Sequence, residues 1–322
     1  MIYNIKPHLI VGFFYLYQHI YKCKKNINIM ILRLGSKGRE VKYVQEFLGL
    51  NADGTFGPKT ESAVIRWQIN NNLMSDGIIG PKTWDAMGLA TTDNTEKTYM
   101  TENGLLINRY YLPTGEYKEG PTNKEYLFLH HTAGWQNPYR IVDSWGRDTR
   151  GAVATEFVMG GQSIKGNDNK HDGEMVQCFP EGCYGWHLGN NGSRHMHTHS
   201  VGIEVCNFGY IKNGKTYAGT TASPTQTVEL AEPFKGYDVW HKYSDKQISN
   251  LKKFILYIAD RDNIDVRKGL VEEVRKKGAK GFEFNTDAYC GKIKGMWTHT
   301  STRKDKFDMY PSPELLDMLL SL

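Results

Sequence analysis

The sequence predicts an α/β protein, with a mixed central sheet flanked by helices, preceded by a small three-helix all-α module. Three observations carry this prediction. From Tyr126 onward, β-like runs ("YLFLHH", "TEFVM", "EMVQCF", "VGIEVCNF") interleave with helical ones ("PYRIVDSWGRD", "SDKQISNLKKFILYIADRD"). Interleaving of this kind builds one sheet covered by helices. Nearer the front, "NADGTFGPKTESAV" and "MSDGIIGPKTWDAM" repeat each other at an offset of 23 residues. The length, 322 residues, suffices for one domain of ordinary size plus a smaller unit.

The elements follow in chain order. Residues 1–29 contain "HLIVGFFYLYQHIY", an apolar and aromatic run that follows Lys6 and ends in "KCKK". It is too short and interrupted to span a bilayer well, and it lacks the small-residue cleavage site of a signal peptide. Met30 stands directly before "ILRLGSKG", where organised sequence begins, so 1–29 reads as an upstream extension with Met30 as the natural start. Residues 30–89 form the helical module. In each repeat a Gly precedes Pro58 or Pro81, and proline at the first helical position is preorganised for helix entry. Asp53-Gly54 and Asp76-Gly77 supply turns. Val41, Val44 and Leu48 recur at helical spacing, as do Ala63, Val64 and Trp67.

Residues 90–122, polar and Gly/Pro-rich at both ends, read as a linker with a short strand around Leu105–Tyr111. The second domain is expected over 123–322. Ile141, Val142 and Trp145 fall at helical spacing there, and Ile248, Leu251, Ile255 and Ile258 share one helix face behind a Ser244 cap. The stretch 209–243 is long for a connection and reads as an insertion that lines or covers a cleft.

Charge and cysteine content narrow the function. A net charge of +5 favours an anionic polymer by long-range attraction but falls far short of a nucleic-acid-binding signature. Cys23, Cys178, Cys183, Cys206 and Cys290 show no metal-ligand spacing; Cys178 and Cys183 flank "FPEG" and could pair, but an odd total gives no clear disulfide framework, and free thiols of a protein made in a reducing cytosol are expected.

Polar residues near the two ends of the second domain carry the chemistry. His130 lies in "YLFLHHTAG", and His299 and Asp308 lie in "WTHTSTRKDKFD". Each histidine follows an apolar stretch that reads as a buried strand, so each imidazole is expected at a strand end facing a cleft. Two imidazoles and a carboxylate leave the fourth tetrahedral position of one Zn²⁺ ion for water, the pattern of a catalytic rather than a structural site.

The phrase D-G-x-x-G-P-K-T within "LRLGSKGREVKYVQEFLGLNADGTFGPKTESAVIRWQ" and "DGIIGPKTWDAMG" resembles the peptidoglycan-binding domain at the ends of many cell-wall hydrolases. Further on, "YLFLHHTAG", "YGWHLG", "SVGIEVCN" and "HTSTRKDKFD", in that order, resemble the zinc N-acetylmuramoyl-L-alanine amidases, a family that includes phage lysozyme-type amidases and peptidoglycan recognition proteins. That resemblance spans roughly residues 123–318. Together the two imply an endolysin-like enzyme that cuts the amide between N-acetylmuramic acid and L-alanine of the stem peptide.

The resemblance implies roles position by position. His130, His299 and Asp308 match the zinc ligands, and His131 a supporting neighbour. Glu204, in "VGIEV", matches an acidic residue that exchanges a proton with water, and Lys306, two before Asp308, a cation that holds charge developing on the carbonyl oxygen. Some relatives use a tyrosine on the preceding strand; "GAVATEFVM" has none, which leaves Glu156 as a weaker rival to Glu204. His187 matches a position lining the substrate groove, with Trp186 beside it able to stack on sugar or peptide. His195, His197 and His199 alternate in "RHMHTHS" and could share one side of a strand, but a Gly/Asn-rich loop with solvated histidines is the default there. "VRKKGAKG" reads as a solvated helix end.

A non-catalytic peptidoglycan sensor is the alternative, since fold alone does not imply function; the complete ligand set and Lys306 favour the enzyme. The absence of "HExxH" disfavours a zinc protease. The expected partner is peptidoglycan, with no nucleic acid, no stable membrane insertion and a monomeric state. The expected location is the host cytoplasm, with action on the wall after release, in preference to a secreted autolysin.

Overall fold

A computed structural model describes residues 32–88, 98–120, 123–189 and 193–322, so the expected extension at 1–29 lies outside the described residues. The chain divides into two compact units, Met1–Glu96 and Lys97–Leu322.

The first unit holds α1 (Arg39–Phe47), α2 (Pro58–Asn70) and α3 (Pro81–Ala86). Its core is Leu32, Val41, Val44, Phe56, Val64, Ile79 and Trp84, all fully buried. Leu48 and Trp67, expected on the apolar faces, are only half-buried; Trp67 stands edge-on to Phe47 at 5.8 Å. The repeat in sequence is a repeat in hydrogen bonding. Gln45 Nε2 donates to Asp53 Oδ1 (2.9 Å) and to the Thr55 carbonyl (3.0 Å), while its Oε1 accepts from Gly54 N (2.8 Å). Gln68 does the same with Asp76 Oδ1 (3.0 Å), the Ile78 carbonyl (2.8 Å) and Gly77 N (3.0 Å). Each buried glutamine thus ties the following Asp-Gly turn to its own helix.

The second unit opens with β1 (Thr98–Met100), β2 (Leu106–Arg109) and β3 (Lys118–Glu119). The described part of the stretch expected as a linker is therefore folded. β1 and β2 pair with each other and β2 continues onto the main sheet, because Leu105 and Ile107 bury their side chains in the core of this unit. The expected strand at 105–111 appears as β2.

The remaining elements are β4 (Tyr126–His131), α4 (Pro138–Trp145), β5 (Phe157–Met159), β6 (Met175–Gln177), β7 (Cys183–Tyr184), α5 (Arg194–Thr198), β8 (Ser200–Val205), β9 (Thr227–Phe234), β10 (Tyr237–His241), α6 (Asp245–Asp262), α7 (Leu270–Lys277), α8 (Thr286–Tyr289), β11 (Gly295–Thr298), α9 (His299–Thr302) and α10 (Pro313–Leu320). Seven strands form one mixed sheet in the order β1-β2-β6-β5-β8-β4-β11. β8, β4 and β11 run parallel to one another, with His130 opposite Glu204 and Thr298 opposite Leu129. β9 and β10 form a separate antiparallel hairpin inside the 209–243 insertion.

α6 starts at a capping box, with Ser244 Oγ accepting from Gln247 N and the Gln247 side chain reaching back to Ser244 N. It buries Leu251, Phe254, Ile255 and Ile258 against the sheet, worth about 1.5–3 kcal/mol for each side chain removed from water. α4 contributes Val142 to a second apolar cluster with Val158, Val176 and Cys206. No disulfide joins the described cysteines Cys178, Cys183, Cys206 and Cys290.

Candidate metal centre

Parallel pairing sets the site. Ligands of α/β sheets gather beyond the carboxyl ends of the strands, and here β4 ends at His130-His131, β8 ends just after Glu204, and His299 follows β11 directly. Thr298 caps the short helix α9 with its side chain on Ser301 N, which fixes His299 at the turn out of the sheet. Thr300 N donates to the Asp308 carbonyl at 2.9 Å, so the returning segment is held beside His299.

His130, His299 and Asp308 converge, their candidate donor atoms all within 4.8 Å of one another, and no other such group of three occurs among the described residues. Nδ1 of His130 lies 3.2 Å and Nδ1 of His299 lies 3.0 Å from the same oxygen, Asp308 Oδ2. Tetrahedral bonds of about 2.0–2.1 Å put neighbouring donors roughly 3.3 Å apart, so the spacing fits a small divalent cation.

The tautomers give a second test of that fit. With Ser200 Oγ donating its proton to the His197 carbonyl at 3.3 Å, His187 Nε2, 2.8 Å from the same oxygen, is the donor. Burial holds His187 well below the usual histidine range, aided by the neighbouring imidazoles, so the ring is neutral and its Nδ1 is an acceptor. That Nδ1 lies 3.0 Å from His130 Nε2, which therefore carries the proton. Burial pushes His130 down to about 4 against the pull of Asp308, so this ring too is neutral and its Nδ1 is a bare lone pair. A lone pair aimed at a carboxylate oxygen is repulsive unless a cation lies between them. With these tautomers the donor set fits a metal ion.

Around this set the charges divide. Burial would raise the Asp308 carboxyl, but His299 beside it, first among the opposing groups, holds it below the usual carboxylate range. Glu204 moves the other way: burial first, then the Asp308 charge, push its carboxyl well above normal, while the Lys306 ammonium pulls it back down. Glu204 Oε2 is buried with no hydrogen-bond partner. Asp308 and Lys306 thus act on the same carboxyl in opposite directions.

Other expectations come out differently. Glu156 is removed from the acid/base role: it is buried in an ion pair with Arg261, at 2.7 and 3.2 Å, and also accepts from Gln177. The alternating histidines are neither on a strand nor uniformly solvated. They lie on and just after helix α5, where His195 and His199 stack one turn apart at 3.9 Å, and His197 is buried with Nε2 donating to the Gly189 carbonyl. A Ser193 cap on Met196 N nucleates the helix locally. His131 points away from the centre, to Tyr243 Oη at 3.1 Å. Trp186 is half-buried and packs edge-on against His197 at 4.8 Å. His187, expected in a substrate groove, uses both ring nitrogens on His130 and Ser200. Sequence reasoning missed Ser200 and Gly202. A Cβ on Gly202 would lie 3.1 Å from His187 Nδ1 and 2.8 Å from Thr155 Cγ2, so only glycine lets the imidazole rest against the sheet. The single signal for it is a glycine inside an apolar strand.

A curated relative, an uncharacterized protein of Kitasatospora aureofaciens, is 41% identical over 49 residues, 15% of this chain and 42% of that protein. A peptidoglycan-binding protein structure from Clostridioides difficile is 42% identical over 19% of this chain and 41% of its own, with a TM-score of 0.18. The structure of the N-acetylmuramyl-L-alanine amidase AmiD from E. coli, solved with an anhydro-N-acetylmuramic acid peptide as substrate, is 19% identical over 46% of this chain and 47% of its own, with a TM-score of 0.28. The chain thus spans about two fifths of the curated relative and of the clostridial protein. Residues 39–87 match the peptidoglycan binding domain family. Residues 120–281, about half of the chain, match the N-acetylmuramoyl-L-alanine amidases, and the chain belongs to that family.

Proposed function

We propose that the protein is a peptidoglycan hydrolase, a cell-wall lysin that cleaves the amide joining the lactyl group of N-acetylmuramic acid to L-alanine of the stem peptide. The observation that carries this reading is the convergence of two imidazoles on one carboxylate oxygen, beside a buried carboxyl with an unpartnered oxygen. In this reading His130, His299 and Asp308 hold one zinc ion. Zinc supplies Lewis acidity, lowering the pKa of water from about 15.7 toward 7 and polarising the scissile carbonyl.

The chain's own groups do the rest. Glu204, its proton affinity raised by burial and by Asp308, takes a proton at its carboxylate from the attacking water and delivers it to the departing alanine nitrogen. Lys306 places positive charge where the carbonyl oxygen becomes anionic. The His187–Ser200 chain keeps the proton of His130 on Nε2 and leaves Nδ1 for the metal. Trp186, on the segment beside His187, contributes an aromatic face for sugar or peptide. The module at 30–89 docks the enzyme on the wall, and the unit from Lys97 onward carries the catalysis. The protein acts at the cell wall as a monomer, made in the host cytoplasm and reaching its substrate after release; no helix among the described residues is long and apolar enough to cross a membrane.

The test is incubation of purified sacculi with the full chain, measuring release of free N-terminal alanine with and without a chelator. Chelator-sensitive, zinc-restored release is the expected result. No release under any condition would replace the enzyme with a non-catalytic peptidoglycan sensor.

A further inference from the structure

Lys306 and Asp308 sit on a segment, 303–312, that forms neither helix nor strand. A ligand on such a segment is held only as well as its neighbours hold it, and the 209–243 insertion touches it repeatedly. The Phe307 side chain, between the two functional residues, packs 5.3 Å from the Tyr210 ring and 5.9 Å from the Tyr237 ring. Those two tyrosines stack on each other at 3.8 Å and 17°. Lys235, in the turn of the hairpin, donates from Nζ to the Lys304 carbonyl at 2.9 Å. Tyr310 is sandwiched between Trp240 at 4.5 Å and Tyr243 at 4.8 Å, and its hydroxyl donates to the His241 carbonyl at 2.7 Å. The insertion also reaches the other ligand strand, with Tyr217 Oη donating at 2.7 Å to the carbonyl of Ala133, three residues after His130.

We propose that the 209–243 insertion is a brace that presets the Asp308 carboxylate for metal binding, with Tyr210, Tyr237 and Phe307 as its positioning residues. This rests on the reading of His130, His299 and Asp308 as metal ligands. The physical ground is preorganisation: conformational entropy that a loose segment would lose on binding the ion is lost at folding instead. The aromatic cluster fixes the segment on both sides of the ligand, Phe307 before Asp308 and Tyr310 after it. The rings of Tyr210, Tyr237 and Phe307 are half-buried, so their removal trims a brace rather than hollowing out the core.

Zinc titration of the full chain against a chromophoric chelator tests the proposal, with thermal unfolding of the metal-free chain measured in parallel. Phe307→Ala and the double variant Tyr210→Ala/Tyr237→Ala should each weaken zinc binding about tenfold, the scale seen when supporting groups of a metal site are removed. Tyr210→Phe/Tyr237→Phe, which keeps the stacked rings, should bind zinc as the parent does. Where an alanine variant fails to fold, Lys235→Met removes one anchor from an exposed turn and should lower zinc affinity by a smaller factor. Folded variants with parental zinc affinity and a raised KM would overturn the brace and leave the insertion as a wall of the cleft. Failure of the parent chain to bind zinc would sink the metal reading itself, a result separable from failure of the brace.

Discussion

Two regions of this molecule bury polar side chains, and they treat them oppositely. In the front module, Gln45 and Gln68 are 2% and 1% exposed, and both ends of each amide are hydrogen-bonded to the turn that follows. At the end of the sheet, Glu204 Oε2 and His299 Nε2 are buried without partners. An unsatisfied buried polar atom costs free energy, so the first arrangement stabilises a small unit and the second costs the larger one stability. The difference separates polar burial that builds a fold from polar burial that leaves capacity for a reaction.

The sharpest way to break this comparison is to empty the open site. Asp308→Ala should leave the purified protein without stoichiometric zinc by elemental analysis. Glu204→Ala should retain zinc yet lose about 10²–10⁴ in turnover on sacculi, the range ascribed to a positioned acid/base group. Near-parental lysis by either variant would count against the assignment. The saturated site predicts a stability effect with no chemical one. Gln68→Ala orphans Gly77 N and the Asp76 turn, and should lower the front module's unfolding free energy by about 1–3 kcal/mol in denaturant titrations, while zinc content stays at the parental value.

A smaller effect tests the bridge between structure and chemistry. His187→Ala removes the acceptor for His130 Nε2–H and should weaken zinc about tenfold, measured by chelator competition. Gly202→Ala should act in the same direction by displacing the His187 ring. A further effect concerns acid. Burial lowers His241 to about 3 and His131 to about 4 from an ordinary 6.5. Between those values and 6.5 the unfolded chain binds protons that the native chain does not, so stability falls as pH drops through that window and is fully present above it. Thermal scans of the metal-free chain should show this slope, and His241→Gln should flatten it.

Much of this was legible in the sequence because it is local. An apolar run ending in His130 is a strand end whatever surrounds it, and Gly-Pro followed by helical spacing marks a helix start. Ser244 and Gln247 lie three residues apart, so their reciprocal cap can be read directly. What was not legible depends on partners far along the chain. Glu156 looked like a rival acid because its neutralising partner, Arg261, is 105 residues away. Residues 98–120 looked like a linker because edge strands carry polar residues, and only Leu105, Ile107 and Leu112 among their apolar side chains report burial. The burial of Gln45 and Gln68 carries no sequence signal, because glutamine is usually a surface residue. The brace on Phe307 needed a hairpin whose aromatic residues carry no periodic signal.

One feature of the sheet has a consequence for anyone who would redesign this protein. His130 and Glu204 occupy the same rung of two neighbouring parallel strands. Side chains alternate faces along each strand, so a single inserted or deleted residue upstream in either one would turn one of the pair to the opposite side. Their separation cannot be tuned by loop grafting; only changes in even steps, or matched in both strands, keep the imidazole and the carboxyl on a common face.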